Sequence, residues 1–423
     1  MYHQSILKNG IRFVTVPMKD TAAAIVLVSV RVGSRYEPEK VIGGSHFIEH
    51  LMFKGTKRRP KAALISGILD AYGADFNAYT SKDHTAYYVK IVGDKLAVGI
   101  DLLYDMLFNS LYEPAEIKRE KKVIIEEINM YEDNPRMIVG DLLEHALFRG
   151  TTLGRKIAGS RADIEAMKRA DLISYRDQYY IPERLIVTLA GNFSAEARTL
   201  AEKMFSRLVN RKRQDAAAPT AVLADNSVRV ERQQKPTEQV QINLGWKAYR
   251  YGAKELPALR VLAAILGGGM SSRLFLAVRE RRGLAYSIHA SASSYEDTGV
   301  FDISAGLDKS RLGLAAEVIM EELAAIVKRG PKTTELKRAK DFIAGKTLLH
   351  LEDCAERAEW YAKQIMFTPK EVLTPETAIK KIRAVTASEV IEIAREVLDP
   401  KAMSIGVVGP FASDQEVIAP FLK

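Results

Sequence analysis

At 423 residues, 47% hydrophobic and 27% charged, the chain has the composition of a soluble globular protein and the length of about two to four domains. It contains no run of about 18 apolar residues, which excludes a membrane-spanning helix, and its single cysteine, Cys354, excludes an intramolecular disulfide and a thiolate zinc cluster. The net charge of +9 raises nucleic-acid binding, but the basic runs at Lys54–Arg59, Arg211–Arg213 and Arg279–Arg282 come with no recognition motif and read as solvated surface.

Met1-Tyr2-His3-Gln4-Ser5 leads straight into a strand-like Ile11–Val16, with no basic-then-apolar leader, so a cytoplasmic location is expected. Ile11–Met18 and Ala24–Val32 read as an opening pair of strands. A helix follows and stops near Gly55, then a second runs from Pro60 to Tyr72. Asp75–Thr80 and Thr85–Val92 read as a hairpin, Lys95–Phe108 and Glu116–Tyr131 as helices, and Asp133-Asn134-Pro135 as a stop. Helices near Met137–Phe148, Ala162–Tyr179 and Ala195–Leu208 flank a strand at Leu185–Ala190. The stretch 210–227 changes to Arg-Lys-Arg and Ala-Ala-Ala-Pro and reads as a linker. Beyond it come a strand at Glu238–Leu244, a helix from Pro257 to Leu266, strands at Tyr286–Ser294 and Val300–Ala305, more helices, and a last strand at Met403–Val408.

The second half repeats the first. Ile181-Pro182-Glu183-Arg184-Leu185 leading to Gly191 recurs as Asp399-Pro400-Lys401-Ala402-Met403 leading to Gly409, an offset of 218. Glu116-Ile117-Lys118-Arg119 recurs as Glu335-Leu336-Lys337-Arg338 at an offset of 219. The expected organisation is one unit over 1–209, a linker over 210–227 and a second unit over 228–423.

Chemistry concentrates between Ser45 and Lys54, where His46, Glu49 and His50 are the only polar residues. At i, i+3 and i+4 they form one stripe of an otherwise apolar helix, and buried polar groups need partners. Two imidazoles one turn apart suit a metal ion, with the carboxylate beside it; the competing reading is a pair of satisfied core histidines. A catalytic zinc needs a third protein ligand, and the helix Glu116–Tyr131 offers Glu120, Glu126 and Glu127. Glu120 and Glu127, seven apart, share a face with Val123 and Ile124, while Glu126 points roughly a hundred degrees away. The competing reading of that helix is an exposed Lys/Glu surface. Gly267–Gly269 lack the Lys-Ser/Thr of a phosphate-binding loop, and Cys354 reads as core packing.

The spacing His46-x-x-Glu49-His50, then 76 residues, then Glu127 resembles the signature of the pitrilysin/insulysin-type inverzincin metallopeptidases. Phe47 and Phe53-Lys54-Gly55-Thr56 resemble its small two-domain bacterial branch, which is similar to mitochondrial processing peptidase. The resemblance extends along nearly the whole chain. Asn77-Ala78-Tyr79-Thr80 resembles the family's substrate-binding edge strand, and Arg279 with Tyr286 its second-half Arg/Tyr pair.

The resemblance implies an α+β fold of two tandem related α/β units, each a mixed, mainly antiparallel sheet flanked by helices. It also implies a zinc endopeptidase with one Zn2+ per chain, held by His46, His50 and Glu127, with Glu49 as general base. Glu120 would orient a ligand histidine, Asn77, Ala78 and Tyr79 would bind substrate backbone, and Arg279 and Tyr286 would donate to it and to the oxyanion. The second copy places Ala264–Gly268, Ala339 and Lys346 where the ligands and Glu120 stand in the first, and so lacks the metal. Expected partners are peptides or unfolded protein and a second copy of the chain, with a heterodimer as the variant; nucleic acid and membrane are not expected. The alternative from another class is a non-catalytic partner subunit, against which the intact His46, Glu49, His50 and Glu127 weigh.

Overall fold

Among the described residues, the first unit is built on six strands and the second on five. The computed structural model describes residues 2–209 and 229–422; the expected linker and the Arg211–Arg213 run lie outside the described residues. Six strands, β1 (His3–Ile6), β2 (Arg12–Pro17), β3 (Ala23–Val30), β4 (Asp75–Thr80), β5 (Thr85–Val92) and β6 (Leu185–Gly191), form a sheet in the order β1-β2-β6-β3-β5-β4. Only the β2–β6 pairing is parallel. Five more, β7 (Arg229–Gln234), β8 (Gln239–Ala248), β9 (Ala285–Ser294), β10 (Gly299–Asp308) and β11 (Ser404–Gly409), form a second sheet in the order β7-β11-β8-β10-β9, with only β7–β11 parallel. Strand for strand this is the first sheet without β1, so the expected fold of two related mixed, mainly antiparallel units is the observed one.

The continuous apolar run in β3 follows from burial on both faces. Ala24, Val26, Val28 and Val30 point into a core with Phe47, Ile48, Leu51 and Ile100, whereas Ile25 and Leu27 point to the opposite face. There they meet Ala358, Tyr361, Ala362 and Ile365 of the helix Cys354–Phe367. Most of the second sheet's strands and helices share a single core around Trp246, Phe301 and Ile405. The other face of β11 and β8 takes the helix Pro135–Leu147: Val408 packs on Ile138 and Val139. Glycine is required in that contact, because a Cβ at Gly406 would lie 2.5 Å from the Leu143 backbone nitrogen and one at Gly245 would lie 2.8 Å from the Leu143 side chain.

The units are therefore not the contiguous spans that the linker composition suggests. The first comprises residues 2–129, 156–209 and 350–372, and the second 130–155, 229–349 and 373–422. Each takes one covering helix from the other half of the sequence. A helix's apolar stripe demands a sheet face but does not say which of two similar sheets supplies it.

Within the first unit, the segment preceding the motif helix is tightly fixed. Backbone N–H groups of Ser34 and Arg35 donate to the carbonyls of Ser81 and Lys82, both at 3.1 Å, in the β4–β5 turn. The buried Arg35 guanidinium meets the buried Asp83 carboxylate at 2.9 Å. Two residues on, the buried Glu37 carboxylate accepts from the backbone N–H groups of Gly43 and Ser45, each at 2.7 Å. Gly43 is the N-cap of the helix Gly44–Met52, at φ +83°, and has no side chain to cap with. Glu37 thus supplies from six residues away the anionic cap that this helix start lacks.

Replacing Glu37 by Ala should cost about 2–4 kcal/mol of stability, since two charge-assisted bonds to a buried helix start are lost, and Glu37→Gln about half that. Urea unfolding measures it; a Glu37→Ala midpoint equal to wild type would show that the cap is dispensable.

Candidate functional site

The helix Gly44–Met52 buries Phe47, Ile48, Leu51 and Met52 completely and leaves His46, Glu49 and His50 partly buried on its remaining stripe. The long helix Pro114–Asp133 buries Ile117, Glu120, Ile124, Ile125 and Ile128. Glu127 is half-buried on the same side and Glu126 is exposed, as the helical spacing requires. Val123, expected on the buried face, is exposed; the apolar face runs through the isoleucines instead.

The three expected ligands meet. His46, His50 and Glu127 each offer one ligand atom, all within 4.8 Å of one another, and no other such group occurs among the described residues. Glu127 Oε2 lies 3.6 Å from His46 Nε2 and 3.4 Å from His50 Nε2. These separations are long for hydrogen bonds. They match the edge of a tetrahedron around zinc, about 3.4 Å for metal–ligand bonds of about 2.0–2.1 Å. With two imidazoles, a carboxylate and no cysteine, the donor set also fits a catalytic rather than a structural zinc.

The two histidines are held differently. His50 Nδ1 lies 3.2 Å from Glu120 Oε2, and Glu120 Oε1 takes the Lys54 ammonium at 2.9 Å. His46 Nδ1 is buried with no partner among the described residues, and its ring is set by edge-on packing against His50 with ring centres 4.6 Å apart. Burial and the neighbouring imidazole bring His46 down to about 4. Burial would lower His50 too, but Glu120, Glu127 and Glu49 outweigh it and raise it to about 9. The surroundings of His50 therefore favour positive charge, the condition for holding a cation. Burial alone would raise the Glu120 carboxyl, yet His50 and Lys54 keep it below the usual carboxylate range. The facing His50 and His46 do the same for Glu127.

Glu49 stands apart from the ligand set. Its Oε2 accepts from the Thr80 hydroxyl at 2.5 Å, at the end of β4, and burial raises its carboxyl above the ordinary value despite that bond. A carboxylate with raised proton affinity is suited to accept a proton at neutral pH. β4 is an edge strand that pairs only with β5 among the described residues. Asn77 is exposed on it, Ala78 buried, and Tyr79 packed edge-on to His84 with Lys363 over its ring.

Arg279 and Tyr286 come together in the second unit. The Arg279 guanidinium lies over the Tyr286 ring at 5.6 Å and over Phe275 at 4.9 Å, while Tyr286 is 64% exposed. The positions matching the first unit's ligands and Glu120 hold the end of the helix Leu256–Gly267, buried Ala339 and exposed Lys346, none of them a His, Asp or Glu. The Lys54–Arg59 run has a structural use: Arg58 and Arg59 are ion-paired with Asp101 and Asp105, and Thr56 donates to Asp105 at 2.6 Å.

Four contributors escaped the sequence reading: Glu37, Lys54 as the partner of Glu120, Thr80 as the partner of Glu49, and Arg136, whose guanidinium also lies over Tyr286. Thr80 alone had a signal, as the last residue of the Asn-Ala-Tyr-Thr strand beside the motif helix.

Comparison with known proteins bears on the whole chain. Residues 12–161 match the family described as Insulinase (Peptidase family M16), and residues 166–343 match the Peptidase M16 inactive domain. A Bacillus subtilis protein, "uncharacterized zinc protease YmxG", is 35% identical over 92% of this chain and 94% of its own. A Mycobacterium tuberculosis protein, "uncharacterized zinc protease Rv2782c", is 33% identical over 98% and 94%. Among solved structures, a protease from Helicobacter pylori is similar in fold with a TM-score of 0.89 at 23% identity, covering 97% of this chain and 99% of that one. Ligand geometry, the family match and relatives aligned over more than nine-tenths of their length agree: the chain belongs to the M16 insulinase family of zinc metallopeptidases.

Proposed function

We propose that this zinc metalloendopeptidase cleaves extended peptides and unfolded segments, and that it belongs to the small two-domain bacterial branch resembling mitochondrial processing peptidase. The carrying observation is the Glu127 oxygen set at 3.4 and 3.6 Å from two imidazole nitrogens beside a carboxylate that is not itself a ligand. His46, His50 and Glu127 hold one zinc per chain. Zinc held there would act as a Lewis acid and would lower the pKa of a water to about 7. Glu49, steadied by Thr80, accepts the proton from the attacking water and returns it to the leaving amine. Glu120, anchored by Lys54, keeps His50 in the orientation that presents Nε2.

Substrate backbone pairs with Asn77, Ala78 and Tyr79 along the open side of β4, which is why the substrate must be extended. Arg279 and Tyr286 donate to the substrate backbone and to the charge that develops on its carbonyl oxygen.

Elemental analysis of the purified chain should find one tightly held zinc. Glu49→Gln should keep that zinc and lose about a hundredfold or more in peptidase activity. Glu127→Gln should weaken zinc retention and Glu126→Gln should do little. Loss of metal from Glu126→Gln but not from Glu127→Gln would reverse the assignment of the third ligand.

The substrate class has its own measurement. Unstructured peptides should be hydrolysed, while the native folded proteins from which they derive survive the same incubation. Rapid cutting at a site buried in a stably folded protein rules out the extended pose.

The chain works as a homodimer, the zinc site of one protomer acting with Arg279 and Tyr286 of its partner, so that a two-fold pair carries two sites. Two inactive variants, Glu49→Gln and Arg279→Ala/Tyr286→Phe, should regain roughly a quarter of wild-type activity after subunit exchange. About half of the dimers are then mixed, and each has one whole site of two. A mixture that stays inactive places the Arg/Tyr pair in the service of its own chain.

A further inference from the structure

Arg136 lies in the first turn of the helix Pro135–Leu147, and its guanidinium stands 5.4 Å from the centre of the Tyr286 ring. Arg279 stands over the same ring at 5.6 Å, so the two cationic centres are within about 11 Å of each other. Neither guanidinium has a carboxylate partner among the described residues, and the Tyr286 hydroxyl has no hydrogen-bond partner there either. Three other arginines of the same unit do have a carboxylate partner. Arg273 is bonded to Glu335, Arg149 to Glu231 and Arg232 to Asp414. Arg136 is further disfavoured by position, since the start of a helix carries partial positive charge. Two guanidinium groups without a carboxylate partner lie over one exposed phenol, and no ion pair among the described residues neutralises them.

Such a cluster is complementary to an anion. Guanidinium forks suit a carboxylate, which they bind through paired, charge-assisted hydrogen bonds, and the free phenol adds a neutral donor. We infer that Arg136 supplies a carboxylate subsite adjoining the backbone-binding Arg279/Tyr286 pair and gives the enzyme a preference for substrates presenting a carboxylate there. The carboxylate comes from an acidic side chain or from a free peptide C-terminus. The inference rests on the reading of the chain as a peptidase whose Arg279 and Tyr286 meet the substrate.

Three labelled peptides of one core sequence test it: glutamate-containing with an amidated C-terminus, glutamine-substituted with a free C-terminus, and glutamine-substituted and amidated. Their affinities are measured on the zinc-loaded, full-length Glu49→Gln chain and on the same chain carrying Arg136→Gln. At least one carboxylate peptide should bind about tenfold tighter than the neutral amidated one, and Arg136→Gln should erase the difference. Which peptide gains identifies the source. Arg136→Lys should keep part of the preference, and unchanged zinc content and thermal midpoint show that the variants are folded. Absence of any preference, or a preference that survives Arg136→Gln, overturns the inference. Cleavage of the neutral amidated peptide by the wild-type chain reads the peptidase assignment separately. Cleavage without preference sinks only the subsite, and preference without cleavage of any peptide sinks only the peptidase.

Discussion

Two imidazoles one turn apart have to face a carboxylate from a helix some seventy residues further along, and much of the first unit's construction serves that meeting. The motif helix is only nine residues long, too short to be stable alone. Its apolar side is pressed into the core by Phe47, Ile48, Leu51 and Met52, and its start is held by Glu37. The opposing helix brings Glu120 and Glu127 two turns apart along one side, so that one carboxylate reaches the metal position and the other reaches the far nitrogen of His50. Lys54, immediately beyond the motif helix, balances the second carboxylate. Removing either carboxylate or Lys54 would leave the remaining charges without the partner for which they were placed.

The duplicated scaffold shows how little of this is demanded by the fold. The second sheet has the same strand order, the same single parallel pairing and a helix in the place of the motif helix. Alanine and lysine stand where carboxylates would be needed, and the core closes as well without them. Architecture and chemistry are separable here. The second unit's polar investment lies instead on an exposed surface, where Arg279 and Arg136 lie over Tyr286.

The parts of the site that sequence made legible are those whose geometry is local. His46, Glu49 and His50 fall on one stripe because a helix turns a hundred degrees per residue, and Glu127 separates from Glu126 by the same rule. The pairing of Glu127 with that helix, rather than any other carboxylate, came from resemblance, since no spacing rule joins two separate helices. Glu37, Lys54, Thr80 and Arg136 stayed invisible for the same reason: each acts through a partner from another element, and none belongs to a residue type that advertises the role. The fold divides similarly. The apolar runs of β3 and β11 announce strands buried on both faces, whereas the destination of the helices Pro135–Leu147 and Cys354–Phe367 depends on which sheet offers a matching surface.

That reciprocal loan of helices governs how the chain can come into being. As synthesis proceeds, β2, β3, β5 and β6 emerge with one apolar face that stays open until residues 354–367 follow, about 160 residues after β6. The N-terminal half leaving the ribosome therefore exposes Val14, Val16, Ile25 and Leu27 to other chains for as long as the rest takes to be made. The helix Pro135–Leu147 meanwhile waits for a sheet that does not yet exist. Neither half is a self-sufficient folding unit, and a gene cut at the middle of this protein would yield two sticky fragments rather than two domains.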